Sequence, residues 1–283
     1  PGFVEIGRRL GKDKLYEYVK KFGLTEKTGI DLPGESKGIM FDYDAFNELE
    51  QATVAFGQGI SITPMQLVRA VCACVNGGTL YKPYLVDKII DSYSNDIVYE
   101  HKPEALRKVI SEDASKKMRD ALESVVTDGG GKNAYIDGYR IGGKTGTAQK
   151  AVNGSYVDGG YILSFIGIAP IDDPKIVLYV AMDNPKNCVQ YGGTTVAPIA
   201  RKMLVDILPS MNVKKVSSQR QKAYTFMDTK TLKVENYIGK SKKEVSNPEL
   251  KFEFIGEGDK VIDQLPRVGE SVEAGSTIVI MLG

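Results

Sequence analysis

The chain has 283 residues, 42% of them hydrophobic and 26% charged, which suits a globular protein with room for one large domain and a small one. Its 37 basic and 36 acidic residues nearly cancel, so no nucleic-acid partner is expected. Three cysteines are too few for a disulfide scaffold, no apolar run approaches the length of a membrane span, and no signal peptide is present.

Phe3, Ile6 and Leu10, then Leu15, Tyr18, Val19 and Phe22, predict two short amphipathic helices ending at Gly23. Residues 28–46 are turn-rich, with Gly29, Pro33, Gly34 and Gly38 breaking any long period. Thr63-Pro64-Met65-Gln66 combines a capping box with proline at the first helical position. Val68, Val71, Cys72 and Val75 then recur at helical spacing until Gly77-Gly78 stops the helix. A hairpin is expected from Tyr84 to Ser92 and Ile97 to His101, turning at Ser94-Asn95-Asp96. Ser111 should cap a helix whose buried stripe is Met118, Leu122 and Val125.

A glycine loop, Gly129-Gly130-Gly131, leads towards a strand at Lys144. Two strongly apolar strands, 161–169 and 175–183, follow as central strands of an antiparallel sheet, joined by a turn at Asp172-Asp173-Pro174. Val196, Ile199, Ala200, Met203, Leu204 and Ile207 mark a helix packed on that sheet and ended by Pro209. Helices, then strands, then a helix predict an α+β fold, an α/β sandwich, over 1–208. Residues 209–229 are polar and basic without a period and read as a solvated linker. From 230 to 283 the texture changes to Leu232-Lys233-Val234, a capping box at Ser241-Lys242-Lys243-Glu244, and short strands broken by glycines, a small separate module. Tyr237, Phe252 and Phe254 are candidates for its core.

Residues 144–149, Lys-Thr-Gly-Thr-Ala-Gln, carry the chemistry most worth reading. On an extended strand Thr145 and Thr147 share one side and Lys144 leans to the other. Gly146 lets another backbone lie close. Such an edge could add a peptide by main-chain hydrogen bonds while the hydroxyls and the ammonium hold a carboxylate. The plain alternative is a polar edge strand with lysine as edge protection. His101, the only histidine, stands at the end of the predicted hairpin and is not expected to act in catalysis. Cys72 and Cys74 are two apart on a helix, point to different sides, and read as small buried hydrophobes.

Several blocks together resemble the C-terminal half of a class B penicillin-binding protein transpeptidase. They are Gly29-Ile30-Asp31-Leu32-Pro33-Gly34-Glu35, Phe56-Gly57-Gln58-Gly59-Ile60-Ser61 before the Thr63 helix, Gly131-Lys132-Asn133-Ala134, and Lys144-Thr145-Gly146-Thr147. Phe165-Ile166-Gly167, Ala169-Pro170 and Tyr191-Gly192-Gly193 complete the set. The tail, through Gly256, Gly258, Val261, Gln264, Pro266, Gly269 and Gly275, is similar to a PASTA module.

The resemblance implies a penicillin-binding fold: an antiparallel sheet flanked by helices, plus a small β-rich PASTA domain. It implies a serine-type D-Ala-D-Ala transpeptidase that acylates its serine with the end of a peptidoglycan stem peptide and passes the acyl group to an amine. By the same resemblance Lys144 and Thr147 are the catalytic candidates, and Lys144, Thr145, Gly146 and Thr147 bind the substrate carboxylate or that of a β-lactam. Thr147 N–H would be one oxyanion donor. The family's Ser-x-x-Lys and Ser-x-Asn motifs have no credible match. Ser115-Lys116-Lys117-Met118 lacks a lysine at the fourth position, Ser217 and Ser218 stand three residues before Arg220 and Gln221, and Ser210-Met211-Asn212 falls after the Lys144 strand.

The chain opens on Pro1, so the nucleophile is expected upstream, in a missing N-terminal half, and this chain alone is expected to be inactive. That half would carry an anchor holding the protein at the extracytoplasmic face of the membrane, beside a glycosyltransferase partner. No cofactor is expected. Cys188, near Tyr191-Gly192-Gly193, reads as a surface thiol, the alternative being a metal ligand completed by upstream residues. The other functional readings are a non-catalytic cell-wall scaffold, a β-lactam sensor and a D,D-carboxypeptidase. The tail either binds peptidoglycan or is a structural appendage.

Overall fold

A computed structural model describes residues 2–152, 155–216 and 231–283. The helical part comprises α1 (Gly2–Leu10), α2 (Lys12–Lys21), α3 (Glu48–Ala55) and α4 (Pro64–Val75). It is followed by β1 (Thr79–Tyr81), β2 (Lys88–Ile90), β3 (Ile97–Glu100), β4 (Ala105–Lys108) and the long α5 (Glu112–Thr127). The site-bearing part has β5 (Gly142–Val152), β6 (Ser155–Ala169), β7 (Ile176–Asp183), a single turn α6 (Gly192–Thr195) and α7 (Ala197–Ser210). The tail contributes β8 (Thr231–Lys233), β9 (Lys251–Ile255), β10 (Val261–Leu265), β11 (Ser271–Glu273) and β12 (Thr277–Leu282). The architecture is α+β, as expected.

The sheet order β5-β6-β7 is antiparallel throughout and leaves β5 at an edge. One face carries Leu163 and Phe165, both fully buried against Ala197, Ala200, Leu204 and Leu208 of α7. The other face carries Ile168, packed with Val75 of α4 and with Ile171. Burying each such side chain stabilises the fold by about 1.5–3 kcal/mol, so the sheet is clamped from both sides while its β5 edge stays open.

The α4 start is as read: Thr63 accepts from Gln66 N–H, and Gln66 returns the contact to Thr63 N–H. Its inward face differs. Ala70, Ala73 and Val75 are buried, and beside them so are Gln66 and Arg69, whereas Val71 and Cys72 are only half-buried. Gln66 Nε2 donates to the carbonyls of Glu26 and Lys37 at 2.8 and 2.9 Å. Arg69 donates to Gly23 and Thr28 carbonyls. A polar pair therefore ties the turn-rich segment to the helix, and burial lowers the Arg69 pKa.

Three predicted stripes are corrected. In α5 Met118 is exposed, Leu122 and Val125 are half-buried with Leu122 packed against the Val75, Ile168 and Ile171 cluster as read, and the fully buried positions are Ser115 and Val126. The reason is polar. Ser115 Oγ donates to Cys74 carbonyl and accepts from Gly77 N–H, satisfying the α4 C-terminus together with Arg119 on Val75 carbonyl. In α7 Ile199 and Met203 face outward, and the helix runs one residue past Pro209. A proline in the last turn forfeits a single backbone hydrogen bond. In α1 Phe3, Ile6 and Leu10 are exposed, because the helix meets α3 through its opposite side. There a Cβ on Gly7 would stand 2.6 Å from Ala55 Cβ, and Gln51 Nε2 donates to Gly7 carbonyl.

The predicted hairpin forms as β2 and β3, shorter than read, and turns at Asn95 with φ 60. His101 stacks on Tyr84 at its base. Of the segment read as a linker, 209–210 belong to α7 and Val216 N–H donates to Gly138 carbonyl, while 217–229 lie outside the described residues. Pro1, Ser217 and Ser218 lie outside them too.

The tail builds a three-stranded sheet β10-β12-β9 and a β11-β8 pair. Its core is Val234, Tyr237, Val245, Leu250, Val261, Ile278, Ile280 and Leu282, with Phe252 and Phe254 packed against it. The Ser241–Glu244 capping box forms as read.

Candidate functional site

The site is built on the exposed edge of β5. Its register against β6 pairs Lys144 with Ile166, Thr145 with Phe165, Gly146 with Ser164 and Thr147 with Leu163. The alternation read from the sequence follows: Thr145 and Thr147 lie on the α7 side of the sheet, Lys144 and Gly146 on the other. Lys144 is exposed, and its Nζ donates to Thr145 carbonyl at 2.8 Å. Thr147 is exposed, and its Oγ1 accepts from Gly192 N–H at 3.2 Å. That bond leaves the Thr147 hydroxyl hydrogen to donate elsewhere.

Arg140 anchors the entry to the strand. Its Nε and Nη2 donate to the two oxygens of Glu123 on α5 at 2.8 and 2.6 Å, and this fork raises the Arg140 pKa.

Beside the threonine face stand the glycine loop and Tyr191-Gly192-Gly193. Gly192 sits where a Cβ would come within 2.5 Å of both Gly146 and Ser164 carbonyls. Only glycine allows the turn to close onto the strand there. Asn133 Nδ2 donates to Gly193 carbonyl at 2.9 Å, holding the two loops together. Tyr191 lays its hydroxyl 2.5 Å from the position a Gly130 Cβ would take, and Thr145 Oγ1 lies 4.0 Å from the same point. One side of β5 is thus a wall of hydroxyls and backbone, and the other presents a lysine.

The remaining candidates lie apart from this wall or serve the fold. Ser210 Oγ donates to Ile207 carbonyl and Asn212 adopts φ 57, so Ser210-Met211-Asn212 closes a helix C-terminus. Ser115 is buried between α4 and α5. Burial raises the thiol of Cys72 and pushes that of Cys74 up to about 11, which keeps both unreactive. Cys188 is half-buried, with Gln190 Nε2 3.7 Å from its Sγ. Among the described residues no three His, Cys, Asp or Glu side chains stand together as a metal-holding group.

Sequence reasoning did not anticipate the contribution of Asn133, although it quoted the block that contains it. Nor did it give a role to Ser164, whose carbonyl meets the Gly192 turn and which no spacing rule connects with it.

Comparison with known proteins agrees with this geometry. Residues 1–205 match the penicillin-binding protein transpeptidase domain. Stage V sporulation protein D of Bacillus subtilis (strain 168) is 50% identical over 284 residues, covering 100% of this chain and 44% of that protein. Penicillin-binding protein 3 of Mycobacterium tuberculosis complexed with ampicillin superposes with TM-score 0.70 at 30% identity, covering 76% of this chain and 50% of that one. The apo transpeptidase domain of Burkholderia pseudomallei penicillin-binding protein 3 gives TM-score 0.66 at 30% identity, covering 76% and 62%. The chain thus spans less than half the length of its Bacillus relative. With the family match over the strand, the glycine loop and the closing helix alike, the chain belongs to the penicillin-binding protein transpeptidase family.

Proposed function

We propose that this chain is the C-terminal portion of a peptidoglycan D,D-transpeptidase and supplies the substrate-binding wall of its acyl-transfer site. The observation that carries the reading is the open β5 edge, with Lys144, Thr145 and Thr147 displayed in a family-matched segment and backed by glycine turns. An extended stem peptide would add to this edge, with its terminal carboxylate on the Thr145 and Thr147 hydroxyls in the field of Lys144. Thr147 N–H would donate to the carbonyl oxygen as it becomes an oxyanion.

A serine contributed from upstream attacks the penultimate D-Ala carbonyl carbon and loses its proton. The C–N bond to the terminal D-Ala breaks, and D-Ala leaves having gained a proton. An amine of a second strand then takes the acyl group and restores the serine. Lys144 would bond the upstream proton-transfer serine and hold positive potential over these steps.

Residues 230–283 are read as a PASTA module after a linker at 209–229, a structural appendage in preference to a ligand-binding one. The complete protein would act outside the cytoplasmic membrane with a glycosyltransferase partner. Among the described residues no helix is long and apolar enough to cross a membrane.

The test is labelling of the complete protein by a fluorescent penicillin, with and without Lys144→Ala. Covalent label that the substitution strongly slows supports the reading, and an intact, folded protein that never labels overturns it. Labelling followed by hydrolysis without amine transfer assigns the protein to the carboxypeptidases instead.

A further inference from the structure

The turn that carries Gly192 and Gly193 is gripped from two sides. On one side it meets the sheet, where the Gly146 and Ser164 carbonyls leave no room for a Gly192 Cβ and Gly192 N–H donates to Thr147 Oγ1. On the other side it meets the glycine loop, since a Cβ on Gly193 would overlap the Gly130 carbonyl oxygen. The turn is itself tight: Thr194 and Thr195 N–H both donate to Tyr191 carbonyl, at 3.2 and 3.0 Å. Asn133 closes the second grip. It sits in a 3-10 turn, Lys132–Ala134, fixed by the fully buried Ala134 and by Ala134 N–H on Gly131 carbonyl at 2.9 Å. From there Asn133 Nδ2 reaches Gly193 carbonyl, joining residues 60 apart in sequence. Because α6 stops after one turn, that carbonyl takes its hydrogen from outside the helix.

The consequence falls on the Thr147 hydroxyl. A hydroxyl has one hydrogen and two lone pairs, and its rotation decides which it shows to a ligand. With one lone pair taken by Gly192 N–H, the Thr147 hydrogen points away from the turn, towards the open side of β5. Without that bond the hydroxyl could turn its hydrogen inward and show lone pairs to an incoming carboxylate, which repel it. On the transpeptidase reading, on which this inference rests, that open side receives the carboxylate of the donor peptide or of a β-lactam. We propose that Asn133 is a positioning residue. Through the Gly192–Gly193 turn it holds the Thr147 hydroxyl as a hydrogen-bond donor to that carboxylate, although Asn133 itself touches neither Thr147 nor the ligand.

The experiment uses the complete protein and a fluorescent penicillin, with acylation followed over a range of concentrations so that binding and the acylation step separate. Asn133→Leu removes the donor at nearly constant size, and Asn133→Ala removes it where leucine does not fit. Thr147→Val removes the hydroxyl and keeps the backbone N–H. Each Asn133 variant is expected to weaken penicillin binding by roughly fivefold, the worth of one hydrogen bond. In the Thr147→Val background the same substitutions should cost nothing further, since the hydroxyl they act through is gone. An equal loss in both backgrounds would make Asn133 a residue of the fold and overturn the proposal. So would no loss, a loss confined to the acylation step, or the failure of both Asn133 variants to fold. Any of these in a protein that penicillin acylates removes this inference alone. A folded complete protein that penicillin never acylates removes the transpeptidase reading, and this inference with it.

Discussion

Lys144 contributes little to folding, since it is exposed and its one hydrogen bond is to a neighbouring carbonyl. Its loss should fall on chemistry. Lys144→Ala in the complete protein is expected to slow penicillin acylation by at least a hundredfold, about 3 kcal/mol of transition-state stabilisation, with a thermal midpoint within a few degrees of the parent. Stopped-flow acylation beside thermal unfolding checks both halves, and a large fall in the midpoint would contradict the assignment. Gly192 behaves oppositely. A methyl group there meets two backbone carbonyls at 2.5 Å, and backbone cannot swing aside as a flexible side chain can. Gly192→Ala should cost about 1–3 kcal/mol in unfolding free energy and also weaken acylation by displacing the Thr147 hydroxyl. Denaturant unfolding that leaves the midpoint unmoved would show that the turn yields without cost. These two residues were legible to different degrees. The lysine and threonines declare themselves by type and alternation. Gly192 is visible only as a glycine before a helix, since the carbonyls it must admit come from strands 28 and 46 residues away.

Among the elements, the β6 and β7 strands and the helix starts at Thr63 and Ser111 follow the sequence closely, because their causes are local: alternation, Thr63 with Gln66, Ser111 before Ala114, whereas the helix capped by Asn47 and the β1–β4 pair go unread. Buried faces follow it less well. The inward side of α5 is chosen by Ser115, whose hydroxyl satisfies the end of another helix, and no apolar period encodes that. Likewise α1 packs through Gly7 and leaves Phe3, Ile6 and Leu10 outside.

The segment before β2 offers a test at this scale. Asp31 accepts from Leu85 and Val86 N–H at 2.8 and 2.9 Å, pinning the hairpin base to the turn-rich loop. These bonds, Val86 first, lower its pKa below the ordinary aspartate value. A carboxylate depressed in the folded state adds stability that is present above its unfolded pKa and lost as pH falls through the folded one. Asp31→Asn should therefore lower stability at neutral pH and flatten the acid limb of the stability–pH curve. A variant whose curve parallels the parent's down to about pH 2 would show that the bond contributes nothing.

At the scale of the whole molecule, the apolar clusters divide at the segment 217–230. The tail's core residues, from Val234 to Leu282, touch only one another in their cluster, and the others are drawn from Phe22 to Val213. The change of texture near residue 230 in the sequence accompanies this separation of the apolar clusters. A unit of about 50 residues with Tyr237, Ile278 and Ile280 fully buried is near the lower limit for independent folding. Tyr237 lies inside that core and stacks edge-on with Phe252. Residues 231–283 expressed alone should unfold cooperatively, with a midpoint below that of the rest. The complete protein lacking them should be acylated by penicillin within about twofold of the parent rate, because every residue placed at the β5 edge lies before 217. A tail that is unfolded when isolated, or a deletion that abolishes acylation in a protein still showing native circular dichroism, would mean that the module supports the site directly.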